Sequence, residues 1–587
     1  MTAHLDAYNS AGATISVVKD GEIFFAKGYG YADVEAKKKV EADKTLFRIG
    51  SVSKLFVWTA VMQLVEQGKI DLDEDINNYL TTFQIPPYEG KPVTMANLMT
   101  HSAGFEDYVV GLFAKDEESL SPLGKILAEQ IPARVRPPSL HSSYSNHGTG
   151  MAMYIVELAS GIPWETYLQD NILGPLGMSH TTFTQPTPSS LADDMSKGYS
   201  SSDDGNFKEE DFEYIPLAPV GACGSTATDM AVFMMAHLQF GQYGDVRILE
   251  EATARQMQSE LFRHHPNVSP MGHGFIIVDT NGERIVGHGG DSEWFHTELA
   301  LLPKHNLGLF VSHNTDSGGE ARTKLLEQFM DRYFPAPEQP AFASRDEFST
   351  KLGRFTGFYR PNRYSHRSIA KLVALLGVEV KGSEDGALVL LGKKFHEVEP
   401  LTFRQEDGKR TLVFKEGDGG EITHMFASDI PILVLEKVSF LEKPLTQAVL
   451  VVVSVVLFLG AVVLWPTAGL IRRHYRVVLP PEARLPFGSK FTAWMASALL
   501  LAFTVMFSIS MIEPDEIVYG ATPFLLTTLS MPLIASVFAL FSVIFLLVIW
   551  KNRRGKFLGR VFYSLLCVSF VVFLLQLNHW NLLGFKF

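Results

Sequence analysis

Cysteine is nearly absent from this chain. Cys223 and Cys567 are the only two in 587 residues, the first in a polar region and the second in an apolar segment. That excludes a disulfide framework and a cysteine-based metal site, and it leaves the redox compartment open. An excess of positive charge is also missing. The formal net charge is −13, which argues against nucleic acid as a partner of the polar part. The opening residues, Met1-Thr-Ala-His-Leu-Asp-Ala-Tyr, have neither the basic n-region nor the apolar h-region of a signal peptide. Apolar sequence is not lacking, and it is unevenly spread. Residues 1–440 mix charged and apolar side chains, whereas 445–580 are dominated by Leu, Val, Phe, Ile and Ala. One hydrophobic core cannot serve a chain of this length, so two or three domains are expected.

Residues 13–19 and 22–27 are β-rich runs around Asp20-Gly21, a pair that favours the positive φ angles of a tight hairpin. Residues 54–67 repeat apolar side chains at helical spacing and stop at Gly68. Further helices are expected at 151–160, 164–172 and 228–239. Strands are expected at 284–288, 297–302 and 307–312, before a last helix at 319–333. Strands at both ends with helices between predict one α/β unit closed by its own termini, over residues 1–334. Pro335-Ala-Pro-Glu-Gln-Pro marks a linker at 335–344. Residues 345–440 then alternate short apolar runs (377–381, 387–391, 395–398, 410–414, 422–426) with Asp-Gly turns. This predicts a small antiparallel, barrel-like β domain.

Four apolar segments follow within 446–580, at about 447–465, 491–512, 525–549 and 559–579. Each is near the roughly 20 residues that a helix needs to cross a bilayer. Together they predict a four-helix transmembrane region, with the lipid bilayer as a partner. Loop 466–490 carries Arg472, Arg473, Arg476, Arg484 and Lys490, and loop 550–558 carries Lys551, Arg553, Arg554 and Lys556. Between the second and third spans stand Glu513, Asp515 and Glu516 with no Lys or Arg. Basic loops belong on the cytoplasmic side, so residues 1–445 are expected outside the plasma membrane. Such a domain needs an export signal. The expectation is that the signal has been removed or that the start is recorded too late.

The chemistry-bearing stretch is Phe47-Arg-Ile-Gly-Ser-Val-Ser-Lys-Leu-Phe. Ser51 and Lys54 in a Ser-x-x-Lys at the start of a helix put a hydroxyl and an ammonium one turn apart on one face. A serine hydroxyl is a weak nucleophile until a base takes its proton, and a lysine whose pKa is lowered by burial or neighbouring cations is such a base. The serine N–H at a helix N-terminus suits an oxyanion. By itself this motif is weak, because a serine at a helix start is more often a cap. Two further pieces occur in order along the chain, Tyr144-Ser145-Asn146 and His288-Gly289-Gly290.

As an ordered set, these three motifs resemble the serine β-lactamase and penicillin-binding protein family. The closest likeness is to its class C, D-alanyl-D-alanine carboxypeptidase and esterase branch. Leu98-Met-Thr-His-Ser-Ala-Gly, Leu173-Gly-Pro-Leu-Gly-Met and Gly224-Ser-Thr-Ala-Thr-Asp-Met also match that family's phrasing, and the resemblance covers roughly residues 10–333. It implies a β-lactamase/transpeptidase-like fold, an antiparallel sheet flanked by helices with a helical subdomain. It implies Ser51 as nucleophile, Lys54 and Tyr144 sharing its proton, and Asn146 positioning the substrate amide. His288 replaces the family's lysine, and the N–H groups of Ser51 and Asp291, beside Gly290, form an oxyanion hole. Two positions depart from the pattern. Gly289 stands where Thr or Ser is frequent, and Cys223 where Gly is frequent.

His264, His265, His273 and His288 lie close in sequence, but their spacing matches no zinc pattern. No metal and no organic cofactor is expected, and His101 reads as structural. The implied function is a membrane-anchored serine hydrolase working through a Ser51 acyl-enzyme on a small peptide, ester or lactam. A peptidase or carboxypeptidase of D-amino-acid-containing peptides is the first expectation. An esterase or β-lactamase of the same fold is the second. A non-catalytic sensor of cell-wall fragments is the reading from a different class.

Overall fold

The computed structural model describes residues 1–202, 204–337, 352–512 and 518–587. Most of the linker expected at 335–344 and the acidic loop with Glu513, Asp515 and Glu516 lie outside the described residues. The chain divides into two compact units. The first holds Met1–Tyr108, Leu112–Arg363 and Val378–Lys437; the second holds Val109–Gly111, Tyr364–Gly377 and Val438–Phe587.

The first unit is built on a seven-stranded antiparallel sheet. Its strands are β1 (Gly12–Lys19), β2 (Glu22–Asp33), β3 (Lys38–Lys39), β4 (Ile276–Thr280), β5 (Glu283–Asp291), β6 (His296–Leu302) and β7 (Leu307–His313). They run in the order β4-β5-β6-β7-β1-β2-β3. Asp20 and Gly21 take the positive φ angles, 53° and 86°, that the hairpin between β1 and β2 requires. β1 pairs antiparallel with β7, from Ala13 against His313 to Lys19 against Leu307. The two ends of this region therefore meet side by side, as the strand–helix–strand order predicted.

Four helices matter for the site: α1 (Lys54–Glu66), α2 (Asn146–Ser160), α3 (Ala227–Leu238) and α4 (Gly318–Tyr333). Every residue of α1 from Lys54 to Gln63 is buried, which is why this helix carries apolar residues all round rather than on one stripe. α4 is amphipathic and lays Leu326, Phe329 and Met330 on the sheet. β4 had no clear sequence signal. It is a short strand that follows a loop and pairs with β5 at the edge of the sheet.

The later β region is a closed barrel of eight strands: β8 (Gly357–Pro361), β9 (Val378–Gly382), β10 (Leu388–Leu390), β11 (Lys393–Glu399), β12 (Thr402–Gln405), β13 (Thr411–Glu416), β14 (Ile422–Ala427) and β15 (Val434–Lys437). Closure leaves no free sheet edge. Three strands, β8, β12 and β15, go beyond the five runs read from the sequence. β8 and β15 pair with each other and shut the barrel. Its core is aromatic, with Phe355, Tyr359, Phe403 and Phe414 in edge-to-face contact.

The second unit contains α5 (Pro444–His474), α6 (Phe487–Ser510), α7 (Pro523–Lys551) and α8 (Phe557–His579). All four are long and apolar enough to cross a membrane. Their mutual contacts use small residues (Ala461, Ala493, Ala496, Ala535 and Ala539), so the backbones approach closely. The Tyr563 hydroxyl donates to the carbonyls of Ser489 and Ser542. At one end of the bundle the two basic loops meet, where the Gly555 N–H donates to the Glu482 carbonyl at 2.7 Å.

Candidate active site

Ser51 lies in a single 3₁₀ turn, Gly50–Ser53, that leads straight into α1. The turn is fixed from inside. Ser53 Oγ donates to the Gly50 carbonyl at 2.6 Å, and the Ile49 N–H donates to the Cys223 carbonyl at 2.9 Å. One turn on, the fully buried Lys54 donates from Nζ to Ser51 Oγ at 2.8 Å and to the Val220 carbonyl at 2.9 Å. Removal from water disfavours its charged form, the Arg363 guanidinium adds repulsion, and Asp291 compensates only in part. The ammonium therefore gives up its proton well below the ordinary lysine range.

Tyr144 sits beside this pair, with Lys54 Nζ 5.0 Å from its ring centroid. Burial holds its phenol well above the usual range, although the neighbouring Ser51 pulls the other way. A phenol kept protonated is an acid and hydrogen-bond donor here, which leaves Lys54, whose charged form is disfavoured, as the member of the pair suited to accept a proton. Asn146 opens α2, whose cap is Ser145, accepting from the Gly148 N–H at 3.1 Å. His101 anchors this segment: its Nδ1 accepts from the Ser145 N–H at 3.2 Å, and its ring lies 4.3 Å from that of Tyr144. Burial above all, with repulsion from the Arg363 guanidinium added, holds the pKa of that ring well below the ordinary imidazole range. The structural reading of His101 thus has a specific content, since it holds Tyr144 in place.

The third side is β5. The His288 ring is buried, 6.0 Å from Tyr144, and burial lowers its pKa to about 4. It is a neutral hydrogen-bonding group, unlike a lysine. Beyond it two backbones touch. A Cβ on Gly290 would fall 2.0 Å from the Ile49 oxygen and 3.0 Å from the Ser51 nitrogen. One on Gly50, whose φ is +52°, would fall 2.6 Å from the Asp291 nitrogen. No side chain fits at either place, and the two glycines bring the Ser51 and Asp291 amides together. The Asp291 carboxylate meets His296 Nδ1 and Arg322 Nη2, each at 2.7 Å. Burial opposes its ionisation, but these partners outweigh burial and hold it below the usual carboxylate range.

Arg322, from α4, explains the departure at Gly289. A Cβ there would meet its guanidinium at 3.3–3.4 Å, so the cation fills the space next to the strand. It also donates to the carbonyls of Gly290 and Thr297. Cys223 is resolved as well. It is completely buried, and its N–H donates to Ser53 Oγ beneath the serine turn. Burial pushes its thiol well up.

Sequence reasoning missed Arg363 and Asn362, which follow β8 of the barrel. Asn362 is buried; its Nδ2 donates to the Ser142 carbonyl at 2.9 Å, and its own carbonyl accepts from Arg136 at 2.7 Å. Arg363 lies 5.0 Å from the Tyr144 ring and pairs with Asp107 at 3.0 Å. Nothing local marks either residue, because the pairing of β8 with β15 is what brings them here. The clustered histidines do not converge. His264 stacks on Phe426, His273 faces Gln256, and His288 belongs to the site. Among the described residues no group of three or more His, Cys, Asp or Glu side chains is placed to hold a metal. Tyr144 Oη, Asn146 Oδ1 and His288 Nε2 are buried atoms without a hydrogen-bond partner among the described residues. Buried polar atoms are normally satisfied, so three orphans beside a serine–lysine pair mark a place for a polar ligand.

An antiparallel sheet whose inner strand faces a Ser-x-x-Lys helix start defines the β-lactamase class of fold. The family described as Beta-lactamase matches residues 1–328, and the chain belongs to it. Protein flp of Staphylococcus aureus (strain MW2) is 26% identical over 322 residues, which are 54% of this chain and 61% of that protein. The chain thus spans less than two thirds of the curated relatives it matches. The octameric penicillin-binding protein homologue from Pyrococcus abyssi has a similar fold, with 22% identity and a TM-score of 0.50 over 74% of this chain and 98% of that one. SurE is likewise similar, with 21% identity and a TM-score of 0.53 over 74% and 97%.

The contact between the two backbones is testable. In Gly290→Ala the Ser51 and Asp291 amides must part, and acylation should fall roughly 10²–10³-fold, the usual cost of one lost oxyanion donor. Gly353→Ala, with open space around it and no left-handed backbone, serves as the control. Equal acylation rates in the two variants, read by stopped-flow with a chromogenic ester, would contradict the assignment.

Proposed function

We propose that this protein is a membrane-anchored serine hydrolase that cleaves amide or ester bonds through a Ser51 acyl-enzyme. D-amino-acid-containing peptides are its substrate class. The observation that carries the reading is the 2.8 Å contact between Ser51 and a buried Lys54 whose proton is easily lost. Neutral Lys54 takes the Ser51 hydroxyl proton as Oγ bonds to the acyl carbon. The carbonyl oxygen becomes an oxyanion, held by the Ser51 and Asp291 N–H groups. The bond to the leaving amine or alcohol then breaks, and the leaving group takes its proton from Lys54, with Tyr144 as relay. Water, deprotonated by the same lysine, releases the acyl group. Asn146 and His288 supply the polar contacts that orient the substrate. No metal or organic cofactor enters these steps.

Arg363 and Arg322 favour a substrate with a carboxylate near the scissile bond, which suits a carboxypeptidase better than a simple esterase. Both cations are only partly exposed, 38% and 13% at their side chains, so a carboxylate reaching them is poorly screened by water. The four apolar helices support anchoring in a bilayer, and their basic loops support an extracytoplasmic catalytic region.

Ser51→Ala should abolish labelling by a fluorescent penicillin or fluorophosphonate probe; undiminished labelling would overturn the nucleophile. For the orientation, Glu283→Cys should react with an impermeant maleimide in spheroplasts. Reaction only after lysis would place the catalytic region in the cytoplasm.

A further inference from the structure

Eight-stranded closure leaves one long excursion between β8 and β9, and residues Tyr364–Gly377 of it belong to the helical unit rather than to the barrel. The excursion is held at a fixed level of the bundle. The Ile369 N–H donates to the Lys586 carbonyl at 2.8 Å. Asn581 Nδ2 donates to the carbonyls of His366 and Ser368 at 2.8 and 3.0 Å. Lys371 Nζ donates to the His579 carbonyl at 2.7 Å. His579 is the last residue of α8. The same level is the start of α5, since Gln447 Oε1 accepts from Gln576 and Trp580.

The short 3₁₀ helix Ile369–Leu375 is two-faced. Ile369, Ala370 and Ala374 turn inward and join the cluster of Leu577, Trp580 and Leu582. Leu376 turns out and is 65% exposed. Phe440, Leu441 and Leu445, ahead of and at the first turn of α5, are 71%, 67% and 76% exposed, and Phe585 is 54% exposed. Leu445, Val449, Val452 and Val453 recur at helical spacing on one exposed face of α5, and Phe440 and Leu441 stand just ahead of it. Contiguous exposed apolar surface of this kind is a site of association. Lys371, Lys443 and Lys586 lie among these residues, with Glu442 paired to His579.

We propose that Ile369–Leu375 with Leu376 and residues 440–445 form an interfacial collar that enters the headgroup–acyl boundary of the bilayer. The occupant of this surface is lipid, with anionic headgroups against the three lysines. Continuity with the outward faces of the helices selects lipid over a protein partner. An amphipathic element of this kind lies in the membrane plane and buries its apolar face a few ångströms deep. This inference rests on the four helices spanning a bilayer, and its test separates the two.

The full chain carrying Leu376→Cys, labelled with an environment-sensitive nitrobenzoxadiazole, is reconstituted in phosphatidylcholine–phosphatidylglycerol vesicles. Some of the phosphatidylcholine carries a nitroxide high on its acyl chain. Val453→Cys, on the apolar stretch of α5 a little over two turns beyond Leu445, reports spanning, and Lys394→Cys, on the barrel, reports the aqueous baseline. The native cysteines are buried. The expected result is blue-shifted, quenched emission at 376 and at 453, and red, unquenched emission at 394. Quenching at 453 with water-like emission at 376 overturns the collar and leaves the span reading intact. Water-like emission at 453 overturns both. Where Leu376→Cys fails to fold, Val373→Cys is the substitute.

Discussion

The burial of one ammonium group governs the whole site. Lys54 has no exposed surface, and a charged amine in that position is costly unless something compensates it. Among the described residues it donates to the Ser51 hydroxyl and the Val220 carbonyl. Neither carries charge, and the Arg363 guanidinium disfavours the charged form further, with Asp291 offsetting part of the effect. The fold therefore holds, 2.8 Å from an alcohol, a lysine whose charged form is disfavoured. Most of the surrounding architecture reads as the means of keeping it so: an α1 helix apolar all round, a Cys223 segment sealing the serine turn from below, and a tyrosine ring covering one side.

The second constraint is steric. Gly50 and Gly290 let β5 meet the serine turn backbone to backbone, which is how a sheet strand and a helix start come to share one carbonyl-sized space. Arg322 braces that strand from α4 and ties Gly290, Asp291 and Thr297 together. The absence of a hydroxyl at 289 is thus part of the packing, because a side chain there competes with the guanidinium.

Much of this was legible in the sequence, and for definite reasons. Ser51 and Lys54 are three residues apart, so helical geometry alone joins them. Asp20-Gly21 announced a hairpin because few other pairs accept its φ angles. The four apolar helices needed only a hydropathy count; α5 runs nine residues past its apolar run and α6 starts four residues before it, while α7 and α8 match within two residues. Tyr144, Asn146 and His288 were placed by family resemblance, because nothing within 90 residues of Ser51 points to them physically. Arg363 and Asn362 were invisible for the same reason: their approach depends on a closure between β8 and β15 that no local pattern encodes. Strands β8, β12 and β15 went unread since each is short and only half apolar.

The central claim is that Lys54 acts as a neutral base. The direct measurement is the single-turnover acylation rate of the intact protein as a function of pH, with Lys54→Arg as reference. A buried lysine with a depressed pKa predicts a rate that rises with the neutral fraction and levels off well before pH 10. An ordinary lysine, titrating near 10.4, would give a rate still climbing about tenfold per pH unit up to that point. A profile of that second kind, or one unchanged in Lys54→Arg, would contradict the account.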